Sequence, residues 1–155
     1  MKIKYKYSLK EEFKNLIDLI KNNKDYKKNK NLYVRSPNLW SCLDLKLHEN
    51  VVRFIIRITL HKRPSIEKTL KKLGIENDLK IVTCYLHAFG VGGWFDIDKK
   101  EIHVRWDYHI NHFVETLIHE ILHLLTYKEN YDYSKREEVV EKYMQTPEIQ
   151  KIVNQ

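Results

Sequence analysis

The sequence lacks the features that mark a secreted, disulfide-bonded or membrane-spanning chain. It has two cysteines, Cys42 and Cys84, whose pattern fits neither a disulfide scaffold nor a cysteine-rich zinc site. No apolar run approaches the roughly 20 residues that a transmembrane helix needs, and the basic amino terminus leads to no apolar signal core. We therefore expect a soluble, cytoplasmic protein without a membrane partner.

Glycine is also scarce, and its distribution is uneven. Three of the four glycines, Gly90, Gly92 and Gly93, occur in one short loop. The backbone of this loop must turn sharply or lie close to another group. We interpret it either as a plain hairpin loop or as one rim of a cleft.

The charge balance is moderately basic and does not require a nucleic-acid partner. Lysine and arginine number 28 against 21 acidic residues, a formal net charge of +7, and part of the excess lies in one polar run, 21–30. Residues 65–75 resemble the first helix of a helix-turn-helix unit, but residues 79–86 have the pattern of a strand where the recognition helix would follow. We therefore expect no nucleic-acid partner. A chain of 155 residues is long enough for one domain with a sizeable core, and it leaves the oligomeric state open.

Apolar periodicity divides the chain into two regions of an α+β protein. Residues 1–75 are predicted to form a helical amino-terminal region, with helices at 9–22, 48–61 and 64–73, a polar connector at 21–31 and an ambiguous stretch at 39–47. Residues 76–155 are predicted to form a carboxy-terminal core, a small mixed or antiparallel β-sheet followed by two helices and a tail. Its predicted elements are a strand at 79–86, a hairpin at 94–105, a helix at 110–127, a helix from Ser134 to about Gln145 and a tail from Pro147.

The helix predicted at 110–127 contains His119-Glu120-x-x-His123 in an apolar frame. Two histidines four residues apart project from one face of an α-helix and are close enough to share a metal ion. A buried helix rarely tolerates two imidazoles and a carboxylate without partners. Zinc suits imidazole ligands, and it lowers the pKa of a bound water so that a nearby carboxylate can take the proton. The motif thus predicts a Zn²⁺ site with Glu120 as the catalytic base.

The third zinc ligand is less plain, because the next helix offers Glu137, Glu138 and Glu141. On a helical wheel, Glu138 lies opposite the apolar side, which leaves the other two. If the two helices pair antiparallel, Glu137 lies level with His123 and Glu141 level with His119. We prefer Glu137 as the ligand, although its spacing from Ser134 also fits a capping box. Glu141 stays open, either as the ligand or as a hydrogen-bond partner of a ligating histidine.

The histidine motif, followed by Glu137-x-x-Val-Glu141 on the next helix, resembles the gluzincin metallopeptidases. The resemblance is closest to the small soluble minigluzincins. It covers about residues 79–145, and only the five-residue motif within it is highly specific. The 13 residues between His123 and Glu137 are fewer than larger gluzincins use, and Glu141 stands where the family often has Asp or Asn.

The resemblance implies that residues 76–155 form a zincin-like catalytic core with a carboxy-terminal tail. Zinc would be held by His119, His123 and Glu137, and a peptide or protein substrate would bind as an added strand at a sheet edge. Some small proteases of this type are held inactive by a terminal segment in the cleft. The tail at 147–155 is therefore expected to make the isolated protein latent.

These observations predict a zinc-dependent endopeptidase, in which Glu120 activates a water for attack on a peptide carbonyl. The resulting oxyanion needs a further donor. Candidates close in sequence are Tyr127, Tyr131, Tyr133, His109 and His112. The alternative is a zinc-stabilised binding or regulatory module, which would engage nucleic acid or a protein partner through the basic helices of residues 1–75.

Overall fold

A computed structural model describes residues 1–7, 45–75, 79–87, 92–106 and 110–154. The predicted helix at 9–22 and the connector at 21–31 lie outside these residues, as do Cys42, Gly90 and His109. Most of the ambiguous stretch at 39–47 also lies outside them.

The sheet begins at the amino terminus, where lysines alternate with apolar or aromatic residues. This segment forms strand β1 (Lys2–Tyr7), with Ile3 buried in the core. The predicted helical region at 1–75 did not include this strand. A period of two is the pattern of a half-buried strand, and a parallel partner strand at Ile81–His87 supplies its hydrogen bonds.

Three further strands complete a four-stranded mixed sheet: β2 (Ile81–His87), β3 (Gly93–Asp96) and β4 (Glu101–Arg105). The spatial order is β1-β2-β4-β3, with β2 parallel to both β1 and β4, and β3 antiparallel to β4. The predicted strand and hairpin are therefore confirmed. Along β2 and β4 the buried side chains alternate onto one face, and that face packs against the helices. They are Val82, Cys84, Leu86, Ile102 and Val104.

Helix α1 (Leu45–Lys72) is continuous, where the sequence predicted two helices separated at Pro64. A proline inside a helix costs about 3 kcal/mol. Burial of apolar side chains on both sides of it, Ile55, Ile66 and Leu70 among them, contributes about 1.5–3 kcal/mol each and offsets that cost. The predicted end of the helix is confirmed, because Gly74 has φ 70° and Ile75 N–H bonds to Leu70 C=O at 3.1 Å.

Helices α2 (Ile110–Thr126) and α3 (Tyr133–Met144) have nearly the predicted bounds and pack against each other. Helix α2 is apolar on most of its surface and lies against β3 and β4. Its fully buried side chains are Phe113, Val114, Leu117, Ile118, Ile121 and Leu122. The helix is thus held on several sides, which fixes the direction of its few polar side chains.

The predicted tail is a fourth helix, α4 (Pro147–Val153), which begins at its proline. Proline suits the first turn of a helix because the N–H that it lacks would have no partner there. Ile149, Ile152 and Val153 are buried in the common core, and Lys62 Nζ donates to Ile152 C=O at 2.8 Å. The part of the tail that the structure describes is therefore a packed helix and not a segment in a cleft.

One hydrophobic core joins residues from both predicted regions, including Ile3, Ile55, Val82, Leu117 and Ile152. The mixed sheet and the helices together confirm an α+β architecture. Among the described helices, none combines the length and the apolar character that crossing a membrane would require.

Candidate metal centre

The two histidines of the motif lie one turn apart on α2, on the side that faces α3. Their rings stand 4.7 Å apart between centroids at an angle of 74°, and the two Nε2 atoms are 3.0 Å apart. The same nitrogen of each imidazole therefore points to one place. His123 is almost fully buried, whereas the side chain of His119 is 27% exposed, so the place opens to solvent on the His119 side.

Glu137 of α3 completes the group. Its Oε1 lies 3.2 Å from His123 Nε2, and its Oε2 lies 3.5 Å from His119 Nε2. Ligand atoms at 2.0–2.1 Å from a tetrahedral zinc are separated by about 3.3 Å from one another. Distances of 3.0 to 3.5 Å are close to that value. These three side chains could hold a metal ion, and they form the one such group among the described residues.

The start of α3 decides which glutamate reaches the histidines. Asp132 is the N-cap residue, and its side chain accepts a hydrogen bond from Lys135 N at 2.7 Å. The capping box predicted from Ser134 to Glu137 is therefore wrong, because the helix begins before Ser134. A short carboxylate at Asp132 reaches the same first-turn N–H groups that a serine would. Glu137 is thus freed from a capping role and is directed at the histidines.

The other two glutamates of α3 lie outside the group. Glu138 is exposed and pairs with Lys135 Nζ at 2.8 Å, as the helical wheel predicted for a solvent-facing residue. Glu141 is also exposed, and its Oε1 accepts from Gln145 Nε2 at 2.6 Å. Glu141 therefore does not stand as a partner of either histidine in this structure.

Glu120 is buried beside the group, with only 6% of its surface exposed. Burial, and then the charge of Glu137, raise the pKa of Glu120 to about 8. Its carboxylate occupies the space beside Gly93 of β3 where a Cβ would stand. A cation held by the neighbouring histidines and Glu137 would oppose both effects and favour the ionised carboxylate.

His123 is held in a setting that favours its neutral form. Burial lowers the pKa of His123 and the proximity of His119 lowers it further, while Glu137 acts in the opposite direction. Neutral imidazole is the form that binds metals. Phe95 of β3 stacks on the ring of His123, with centroids 4.8 Å apart and an angle of 11° between planes. The stacking restricts the orientation of the imidazole.

The oxyanion candidates are distributed differently around the group. Tyr127 packs between Phe95 and Arg136, whose guanidinium carbon lies 4.4 Å from the Tyr127 ring centroid. Tyr131 lines a separate cleft, and His112 is exposed and pairs with Glu115 at 3.6 Å. Tyr133, the remaining described candidate, interacts directly with Glu137 of the cluster.

Tyr133 is the first residue of α3, and its side chain is 76% exposed. The charge of Glu137, together with the hydrogen bond that Glu137 accepts, raises the pKa of Tyr133. The phenol therefore stays protonated and can donate a hydrogen bond at neutral pH. Its exposure leaves it free to turn towards a molecule bound at the open side of the group.

Sequence reasoning missed two contacts of this site, Gly93 against Glu120 and Phe95 against His123. Both residues lie on the face of β3 that points to α2. Part of the signal was present, since Phe95 lies on a strand of the hairpin predicted at 94–105, but Gly93 was assigned to the loop before that strand, and the structure has it as the first residue of β3. What the sequence lacked was the knowledge that this strand packs on the motif helix.

No family model, curated protein or solved structure matches this chain. The gluzincin resemblance accordingly depends on the histidine motif and on the cluster of His119, His123 and Glu137.

Proposed function

We propose that the protein is a zinc-dependent endopeptidase of the gluzincin type. The observation that carries the proposal is the convergence of two imidazole nitrogens and one carboxylate within 3.0 to 3.5 Å, beside a buried glutamate. Two histidines and a glutamate with one open position form a ligand set that catalytic zinc uses. Zinc bound there would lower the pKa of a water and polarise a peptide carbonyl.

Glu120 is the proposed general base. It lies next to His119 along α2 but is directed towards β3, so it stays outside the group of metal-binding atoms. In this role it takes the proton of the attacking water and passes it to the leaving nitrogen of the peptide. Its burial keeps bulk water away from the proton that is transferred.

Strand β3 is the proposed site of substrate binding. Among the described strands it lies at the edge of the sheet, and its inward face touches both Glu120 and His123. Arg105 N donates to Gly92 C=O, which places alternate peptide groups, those of Gly93 and Phe95, towards the free edge. A peptide added to this edge would run beside the metal-binding group.

Tyr133 is the proposed donor to the oxyanion. It is an exposed, protonated phenol that interacts with Glu137. Such a donor stabilises charge that develops on the carbonyl oxygen during attack.

The decisive experiment combines metal analysis with proteolysis. Purified protein is expected to carry about one zinc per chain and to digest an unstructured protein such as casein. A chelator should abolish the digestion, and added Zn²⁺ should restore it. Stoichiometric zinc without hydrolysis would instead favour a structural zinc in a binding module. The cytoplasmic location and the peptide partner remain predictions of the sequence.

A further inference from the structure

Gly93 lies where a side chain would collide with the site. A Cβ built on Gly93 would stand 2.5 Å from Glu120 Oε1 and 2.8 Å from Thr116 Cγ2. Real Cβ atoms essentially never show contacts this short. Gly93 has no positive φ, so the backbone conformation does not require glycine at this position. The requirement is one of space alone.

Gly92, which directly precedes β3, differs from Gly93 in its surroundings. A Cβ built on Gly92 would meet nothing within 4 Å. The two adjacent glycines therefore differ in one respect, which is contact with α2. The Glu120 carboxylate meets this strand at Gly93 and not at Gly92.

We infer that Gly93 is a positioning residue for Glu120. Because Gly93 has no side chain, β3 can approach α2 closely at this position. The Glu120 carboxylate then occupies the space beside Gly93, close to His119 and His123. This inference rests on the proposed hydrolysis, because it assigns a cause to the orientation of the general base. Any side chain at position 93 would push the carboxylate away from that orientation.

The first test compares Gly93→Ala with the matched control Gly92→Ala. A displacement of about 1 Å at a reacting group can lower the rate by about 10²-fold, so kcat of Gly93→Ala is expected to fall by about that factor. KM and zinc content should stay close to the wild-type values. Gly92→Ala should keep wild-type kcat, KM and zinc content. Equal kcat in the two variants would overturn the inference.

A second variant separates positioning from packing. Gly93→Ala should also lower Tm by about 2–10 °C, because overpacking a core contact is destabilising. Thr116→Ser removes the methyl group in the way but keeps the hydroxyl, which donates to His112 C=O at 2.9 Å. The double variant Gly93→Ala/Thr116→Ser should recover part of the lost Tm while kcat stays low, since the collision with Glu120 persists. Recovery of kcat together with Tm would show that Gly93 acts only through stability.

The proposed function is tested separately, by measuring hydrolysis with the zinc-loaded wild-type protein. If zinc-loaded wild type hydrolyses no protein, the proposed function is wrong. The contact between position 93 and Glu120 can then be tested by Tm alone. Gly93→Ala should then cost less Tm in a Glu120→Ala background than in wild type, because the carboxylate that it meets is gone. An equal loss of Tm in the two backgrounds would overturn the contact as well.

Discussion

The described part of the protein contains two pairs of neighbouring histidines, on opposite faces of the sheet. His119 and His123 lie on α2, with their Nε2 atoms 3.0 Å apart. His87 and His103 lie on β2 and β4, with ring centroids 6.3 Å apart. Only the helical pair belongs to a group of three potential metal ligands among the described residues.

The strand pair is instead part of an aromatic stack. His103 lies between the rings of Trp94, at 4.2 Å and 8°, and Tyr85, at 4.8 Å and 10°. Such stacking contributes about 0.5–1.5 kcal/mol beyond the area that it buries. The two pairs therefore differ in their neighbours, which are a carboxylate beside the helical pair and aromatic rings beside the strand pair. Two histidines one helical turn apart bring their ring nitrogens together, and a carboxylate can join them as a third ligand. Cross-strand neighbours instead align the faces of their rings, which favours stacking.

Replacing one histidine from each pair should give the largest contrast. His119→Ala or His123→Ala leaves two protein ligands, so zinc should fall from about one per chain to near zero, with loss of hydrolysis. His103→Ala should keep its zinc and lose only stability. Metal content by mass spectrometry and Tm check both. Full zinc in the double variant His119→Ala/His123→Ala would exclude the site.

The Glu137 carboxylate distinguishes the helical pair from the strand pair. Glu137→Ala should weaken zinc binding by more than the 10–100-fold that loss of a ligand's hydrogen-bond partner costs. Glu141→Ala should leave the affinity unchanged, because Glu141 is bonded to Gln145 in solvent. Asp132→Ala is the control for helix stability, because it removes the N-cap of α3 and should lower the free energy of unfolding by about 0.5–2 kcal/mol. If Glu137→Ala behaves like Asp132→Ala and binds zinc normally, Glu137 is not a ligand.

Glu120→Gln tests whether the helical pair supports catalysis or only binding. It removes general acid–base help, so hydrolysis should fall by about 10²–10⁴-fold while zinc and Tm are retained. Steady-state kinetics and metal analysis on the same preparation check this. Loss of zinc in this variant would mean that Glu120 is a ligand and the roles are misassigned.

Tyr133→Phe removes one hydroxyl at the exposed side of the helical pair. If the phenol stabilises the oxyanion, kcat should fall by about 10²–10³-fold, with KM and zinc content little changed. Tyr131→Phe, in the separate cleft, is the matched control and should be as active as wild type. A Tyr133→Phe variant with normal kcat would require another donor.

The smallest effect is expected from the two adjacent aromatic residues of β3, each of which stacks on one histidine pair. Phe95→Leu removes the ring that stacks on His123, which should weaken zinc binding by about 2- to 10-fold, the equivalent of one aromatic contact. Trp94→Leu removes the ring that stacks on His103 and should leave zinc affinity unchanged. Equal zinc affinities in the two variants would show that stacking does not orient His123.

Local pattern was sufficient for most of the elements. The hairpin at 94–105, helix α2 and the end of α1 at Gly74 follow from turn residues, apolar period and capping. Strand β1 was missed although Ile3, Tyr5 and Tyr7 alternate with lysines, because six residues with one parallel partner carry a weak local signal. The local pattern predicts a helix boundary at Pro64, because the packing that holds α1 together across this residue comes from residues distant in sequence.

The sequence alone determined that His119 and His123 share one helix face, since that depends only on their spacing and the helical repeat. It did not determine the third member of the group, where Glu137 and Glu141 were both open. That choice depended on Asp132, which starts α3 before Ser134, and on the packing of α3 against α2. The contacts of β3 with Glu120 and His123 were likewise decided by tertiary structure. These residues are far apart in sequence and come into contact only because the sheet and the helices pack into one core. A local sequence pattern carries no information about such contacts.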